Sequence, residues 1–211
     1  MPVVTKNLLL INVIIFIASC IDQDFVVRWL GMFYPASVFF RFWQPLTHMF
    51  VHAGFFHLFM NMYTLVFFGS YIERQLGTER FLLFYFVCGF GAALVHTGVM
   101  FLSATSMLTA VSEGRAAIQS YYSLINTPVV GASGAIYGLL IAFAVLHPDS
   151  KLTLIFPPVT LSAKWWVLIF LGIDLFAGLT GNSMGVANFA HLGGALFGFI
   201  MIKIWQKTGK I

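Results

Sequence analysis

The chain has 211 residues, 60% of them hydrophobic and only 9% charged, with a mean hydropathy of +0.92. A soluble domain carries about 25% charged residues, so the composition excludes an ordinary soluble protein and points to one integral membrane domain spanning residues 1–211. The formal net charge of +4 does not indicate nucleic acid, because the 11 Lys and Arg are scattered at the ends of apolar segments rather than gathered on one face.

Apolar windows predict an all-α, polytopic bundle of six transmembrane helices at about 8–25, 57–73, 81–103, 132–147, 164–180 and 188–206. The first run follows a single Lys6 and has no clear small-residue cleavage site, so it reads as a span rather than a signal peptide. Between spans one and two, Asp22 to Phe56 is apolar and aromatic for a loop, with Trp29, Phe33, Tyr34, Phe39, Phe40, Phe42 and Trp43. Such a segment is expected to pack on the bundle or lie in the interface. Ala104 to Val130, with Glu113, Arg115, Gln119 and Asn126, reads as an extramembrane loop, and Pro128 prevents a helix from running smoothly into Gly131. Cys20 and Cys88 both fall in apolar runs, giving neither a disulfide framework nor a metal signal, and no cofactor is expected.

Basic residues set the orientation. With the amino terminus inside, the inner side carries Lys6, Arg74, Arg80, Lys151, Lys164, Lys203, Lys207 and Lys210, against Arg28, Arg41 and Arg115 outside. Eight against three places both termini inside, and spans two, four and six then all run inward from the outer side.

Each of those three spans carries polar residues near its outer end. Span two has His57 and, on the same helix face, Asn61. Span four opens a charge-free stretch with Gly131-Ala132-Ser133-Gly134-Ala135-Ile136-Tyr137-Gly138. Span six has Ala190-His191-Leu192-Gly193-Gly194, and Gly194 with Gly198 forms a GxxxG packing face. At a rise of about 1.5 Å per residue, Ser133 lies about 21 Å above the inner boundary, Asn61 about 20 Å and His191 about 18–24 Å. Three polar side chains thus share one level inside a hydrocarbon core of roughly 30 Å, and intramembrane polar residues are costly enough to mark a site. The chemistry that fits is nucleophilic acyl transfer: Ser133 as nucleophile, His191 as the base that takes its proton, and the Ser133 N–H, Asn61 and His57 as donors to an oxyanion. Tyr137, one turn below Ser133, either stacks on His191 or simply packs.

The joint pattern His57-xxx-Asn61, Gly131-Ala132-Ser133-Gly134-xxx-Gly138 and Ala190-His191-xx-Gly194-xxx-Gly198, on the second, fourth and sixth of six spans, resembles the rhomboid family of intramembrane serine proteases. The resemblance covers roughly residues 8–206. It implies a rhomboid-like six-helix bundle with a long membrane-associated first outer loop, and a Ser133–His191 dyad that works without a catalytic acid. It also implies that His57 and Asn61 line the oxyanion hole beside Gly131, that Tyr137 supports the histidine, and that His52 sits near the site mouth. Substrates would be single-span membrane proteins in the lipid bilayer, entering between spans two and five. The absence of a targeting extension points to a bacterial cytoplasmic membrane. The sequence does not fix the substrate, the pathway or the oligomeric state. One departure is visible: many members carry Trp-Arg in the first outer loop where this chain has Trp43-Gln44, so the charged contacts of that loop are not expected in the same form.

Other intramembrane chemistries fit less well. A metalloprotease needs HExxH, and no His here precedes a Glu. An aspartyl protease needs two membrane carboxylates, and Asp174 alone lies well inside a span; a Ser-Lys dyad fails because all six lysines lie at inner ends. Asp174 is read as a structural hydrogen-bonding residue, with a link to the dyad left open. The alternative of a different class is a non-catalytic rhomboid-like protein that binds or escorts transmembrane segments.

Overall fold

The computed structural model describes residues 1–153, 158–180 and 185–211, and these are almost wholly helical. Helix α1 spans Val3–Ile21 and α2 spans Gln23–Leu30, the second capped by the Asp22 carboxylate accepting from Phe25 N–H. A short α3 (Gln44–Thr47) and a 3-10 turn (His48–Phe50) lead to α4 (Phe55–Thr64), which continues through a π-turn at Leu65–Gly69 into α5 (Ser70–Leu76). Then come α6 (Thr78–Ser112), α7 (Ile118–Ile125), α8 (Ser133–Leu146), an antiparallel pair β1 (Lys151–Thr153) and β2 (Thr160–Ser162), α9 (Ala163–Thr180) and α10 (Gly185–Lys207). Among the described residues, α1, α4 with α5, α6, α9 and α10 are long and apolar enough to cross a membrane, while α8 is apolar but only 14 residues long. The protein is an all-α polytopic membrane protein.

The expected loop from Ala104 to Val130 is largely helical. Helix α6 continues to Ser112, and α7 occupies Ile118–Ile125. The polar residues there do not break the helix because their hydroxyls bond back within it: Thr105 donates to the Phe101 carbonyl and Thr109 to that of Thr105. Polarity in this stretch marks the end of the apolar band, not the end of the helix. The segment between spans one and two packs on the bundle as expected, with Met32, Phe33, Met49, Phe50 and Val51 buried. The small β1–β2 hairpin between α8 and α9 has no counterpart in the sequence reading.

The end of the bundle that carries the amino terminus is tied together by polar contacts. Buried Glu73 on α5 accepts from Val4 N–H at 2.9 Å, Thr5 N–H at 2.7 Å and Thr5 Oγ1 at 2.7 Å, so it caps the first turn of α1, whose N–H groups have no partner within the helix. At the same end Lys164 pairs with Asp149 at 2.7 Å, and Arg80 donates to the Lys210 carbonyl at 2.6 Å.

Helix α10 packs on α6, α8 and α9, and small residues set how closely. A Cβ added at Gly194 would lie 1.9 Å from the Gly134 carbonyl oxygen, and one at Gly198 would lie 2.9 Å from the Gly138 Cα. The two backbones therefore touch, as GxxxG pairs allow where lipid supplies no hydrophobic drive between helices. On the third side Gly134 meets Ala92 and Gly138 meets Cys88, both on α6. Gly194→Ala is expected to force α8 and α10 apart and to lower the thermal midpoint in detergent by the equivalent of about 1–3 kcal/mol. Gly172→Ala, whose Cβ would meet nothing within 4 Å, serves as the tolerated control. Equal melting of the two variants would show that the close approach does not hold the bundle.

Candidate active site

Three elements converge at the amino-terminal end of the short helix α8. The chain reaches it along an extended path: Val129 pairs with Met32, and Gly131 N–H donates to the His48 carbonyl at 2.9 Å. Gly131 has φ +129, a conformation that L side chains rarely adopt, and a Cβ there would lie 2.9 Å from both Cε1 and Nε2 of His57. Glycine is thus required twice over. The helix begins at the very next turn, with Ala132 as N-cap and Ser133 as its first residue. The first N–H groups of a helix have no carbonyl partner of their own, so the Ser133 N–H is free to serve as a donor.

Ser133 Oγ lies 2.8 Å from Nε2 of His191 on α10. The ring of Tyr137 stacks on that imidazole, with centroids 4.4 Å apart and planes inclined by 7°. Nδ1 of His191 lies 3.2 Å from Oδ1 of Asp174 on α9. Ser133, Tyr137 and His191 were expected together; Asp174 was read as a structural hydrogen-bonding residue whose link to the dyad was left open, and here it meets His191. The available signal was its status as a lone carboxyl in the middle of a span.

His57 sits on the opposite side of Gly131. Its imidazole edge and Ser133 Oγ both approach the position a Gly131 Cβ would take, at 2.9 and 3.6 Å. His52 meets His57 edge to face, with ring centroids 4.9 Å apart. Asn61 is buried, and its side-chain amide donates to the His57 carbonyl of its own helix at 2.8 Å. One of its two N–H groups is therefore committed to the backbone, which leaves the second for any other acceptor.

The segment between α2 and α4 is organised by Gln44. It is fully buried, and its Oε1 accepts from Phe33 N–H at 3.3 Å and Arg41 N–H at 3.0 Å. Its Nε2 donates to the carbonyls of Arg28 at 3.1 Å and Phe39 at 2.9 Å. A neutral amide thus satisfies four backbone groups without placing a charge in the interior. Trp43 stacks on Trp29 and donates to the Trp29 carbonyl at 2.8 Å.

The Rhomboid domain family matches residues 40–207. This chain belongs to the rhomboid family. It is 34% identical over 159 residues to RHOMBOID-like protein 6, mitochondrial, of Arabidopsis thaliana, covering 75% of this chain and 42% of that protein. It is 34% identical over 164 residues to the presenilin-associated rhomboid-like protein, mitochondrial, of Bos taurus, covering 77% of this chain and 37% of that protein. With Rhomboid-like protein 11, chloroplastic, of Arabidopsis thaliana it shares 28% identity over 206 residues, 95% of this chain and 64% of the relative. The chain thus matches between about a third and two thirds of the length of these relatives.

Two histidines of the outer loop are held neutral. Burial pushes His48 down to about 4 and His52 down to about 3, with the neighbouring His57 adding to the effect at His52. An ordinary imidazole titrates near 6.5, so below that value the unfolded chain takes up protons that the folded loop refuses. Stability is accordingly full above about pH 6.5 and falls as pH drops toward 4, because the unfolded state there binds more protons. Melting in detergent across this window should show the decline, and His52→Asn should flatten it. A midpoint independent of pH would contradict the burial of these rings.

Proposed function

We propose that this rhomboid-family protein is an intramembrane serine endopeptidase that cleaves transmembrane segments near their outer ends. The observation that carries the reading is the 2.8 Å contact between Ser133 Oγ and His191 Nε2 at the start of a short, buried helix. A serine hydroxyl is a weak nucleophile until a base accepts its proton, and this contact supplies the base at the distance the transfer needs. Attack on a carbonyl moves the Ser133 proton to His191 Nε2 and leaves an oxyanion, which the Ser133 N–H and the His57 ring are placed to receive, with the second Asn61 N–H as a further donor. His191 then gives the proton to the departing amine, and water repeats the sequence on the acyl-enzyme. Buried His52 supports His57 edge to face, and Tyr137 holds the plane of the His191 ring.

A substrate helix must partly unwind to present its backbone to Ser133, since helical carbonyls are occupied by their own hydrogen bonds. Preferred substrates are therefore single-span proteins with helix-weakening Gly or Pro in the outer part of the span and a small residue before the scissile bond. Entry beside α4 and α9 is taken from the family. The basic residues favour both termini on the inner side. The named relatives are mitochondrial and chloroplast proteins, which gives no support to the bacterial cytoplasmic membrane expected from the sequence. A non-catalytic escort would have no need of an aligned Ser–His pair, and nothing in the geometry favours it.

Purified protein in detergent should cleave such a segment and react with a fluorophosphonate at Ser133. Ser133→Ala should abolish both activities, and His191→Ala should lower cleavage by roughly 10³-fold or more. Cleavage surviving in either variant would remove the dyad from the reaction, and a wild type that neither cleaves nor labels would favour the escort.

A further inference from the structure

Within α9, the residues around Asp174 face outward: Ile173, Leu175 and Phe176 are 60%, 45% and 68% exposed. Asp174 is turned the other way and is 8% exposed. A carboxyl in the middle of an apolar helix is costly unless it is partnered, and its Oδ1 meets Nδ1 of His191 at 3.2 Å. Oδ2 is buried without a hydrogen bond of ordinary geometry, and the Tyr137 hydroxyl faces the carboxyl. From this arrangement we propose that Asp174 is a positioning residue for His191, one that sets the tautomer and the direction of its ring while Ser133 and His191 alone exchange the proton. The inference rests on the peptidase reading above.

The argument turns on which nitrogen carries the proton. A neutral imidazole has one N–H and one lone pair, and only a lone pair on Nε2 can accept the Ser133 proton. The stacked Tyr137 fixes the plane of the ring, but a face-to-face contact is indifferent to which nitrogen is protonated and to a half-turn of the ring within its plane. A carboxylate at Nδ1 removes both ambiguities. It accepts the Nδ1–H, which leaves Nε2 unprotonated and aimed at Ser133 Oγ 2.8 Å away. As Ser133 attacks, the Oγ proton moves to Nε2 and the ring becomes an imidazolium whose charge lies beside the carboxylate. When the amine leaves, Nε2 returns that proton to it and the ring is neutral again. Asp174 accepts a hydrogen bond throughout and is never itself protonated.

The test pairs Asp174→Leu, an apolar side chain of comparable size, with Asp174→Glu. Leu fills the space of the carboxyl but leaves His191 Nδ1 and the Tyr137 hydroxyl without it, so the variant should still unfold cooperatively in detergent, at a midpoint slightly below that of wild type. Its kcat on a cleavable transmembrane segment should fall roughly 100-fold or more, with KM within about twofold and the fluorophosphonate labelling rate falling in parallel. Asp174→Glu should restore part of the rate. Nitrogen-15 shifts of labelled histidine give an independent reading: wild-type His191 should carry its proton on Nδ1, and the Leu variant should lose that preference. A folded Asp174→Leu enzyme with kcat within about threefold of wild type, or a wild-type His191 protonated on Nε2, overturns the proposal. If the wild type neither cleaves nor labels, the peptidase reading fails, while the tautomer still decides the Asp174 contact.

Discussion

The contact between the backbones of α8 and α10 sets the distances of everything above it. Packed helices normally keep their axes about 8–10 Å apart because side chains fill the space between them. Here Gly134 faces Gly194 and Gly138 faces Gly198, and a Cβ at Gly194 would stand 1.9 Å from a carbonyl oxygen. Ser133 immediately precedes the first of these glycines, and His191 lies one turn before the second, so a serine and a histidine, neither of them long, can meet at 2.8 Å. Any larger residue on that seam would move the hydroxyl and the imidazole apart before it altered either one chemically. Helix α6 closes the third side through Ala92 and Cys88, which fixes the position of α8 against a fully buried wall.

A second constraint comes from the outer loop. The short helix can start at Ser133 only because the preceding strand-like segment is held in place, by Met32 at Val129 and by the His48 carbonyl at Gly131 N–H. That loop is in turn organised by Gln44, which answers four backbone groups from four different residues. An arginine could donate to carbonyls but could not accept from the N–H groups of Phe33 and Arg41, whereas an amide does both. The neutral residue is therefore no loss: it serves two acceptors and two donors, and it avoids burying a charge. His48, Gly131 and His57 then form a continuous path from this loop to the wall of the site.

The spacing of apolar windows and of small residues made the bundle and much of the site legible. Ser133, His191 and Tyr137 could be brought to one level because helix rise is regular, and the glycines four residues apart marked which faces touch. Other features depend on information that periodicity does not carry. The extension of α6 to Ser112 was hidden because Thr105 and Thr109 look polar in the sequence but spend their hydroxyls on their own helix. The partner of Asp174 was hidden because depth alone does not reveal which way a side chain turns. One residue of rotation would have put the carboxyl among Ile173, Leu175 and Phe176 in lipid. The turn of the Asn61 amide toward its own helix is a similar local choice, invisible in spacing.

The three helices that meet at His191 are not equally anchored, and this separates two kinds of dependence. Ser133 and His191 stand on α8 and α10, whose backbones are in contact, so their mutual distance is protected by that close packing. The carboxyl stands on α9, which is buried by Ala163, Trp166 and Val167 near its amino-terminal end and turns much of its remaining surface outward. A disturbance of α9 can thus withdraw Asp174 from the imidazole while the 2.8 Å contact survives, whereas a disturbance of the glycine seam cannot spare that contact. The orientation of the His191 ring then depends on the most exposed of these three helices, and the existence of the Ser133–His191 contact depends on two helices whose backbones touch.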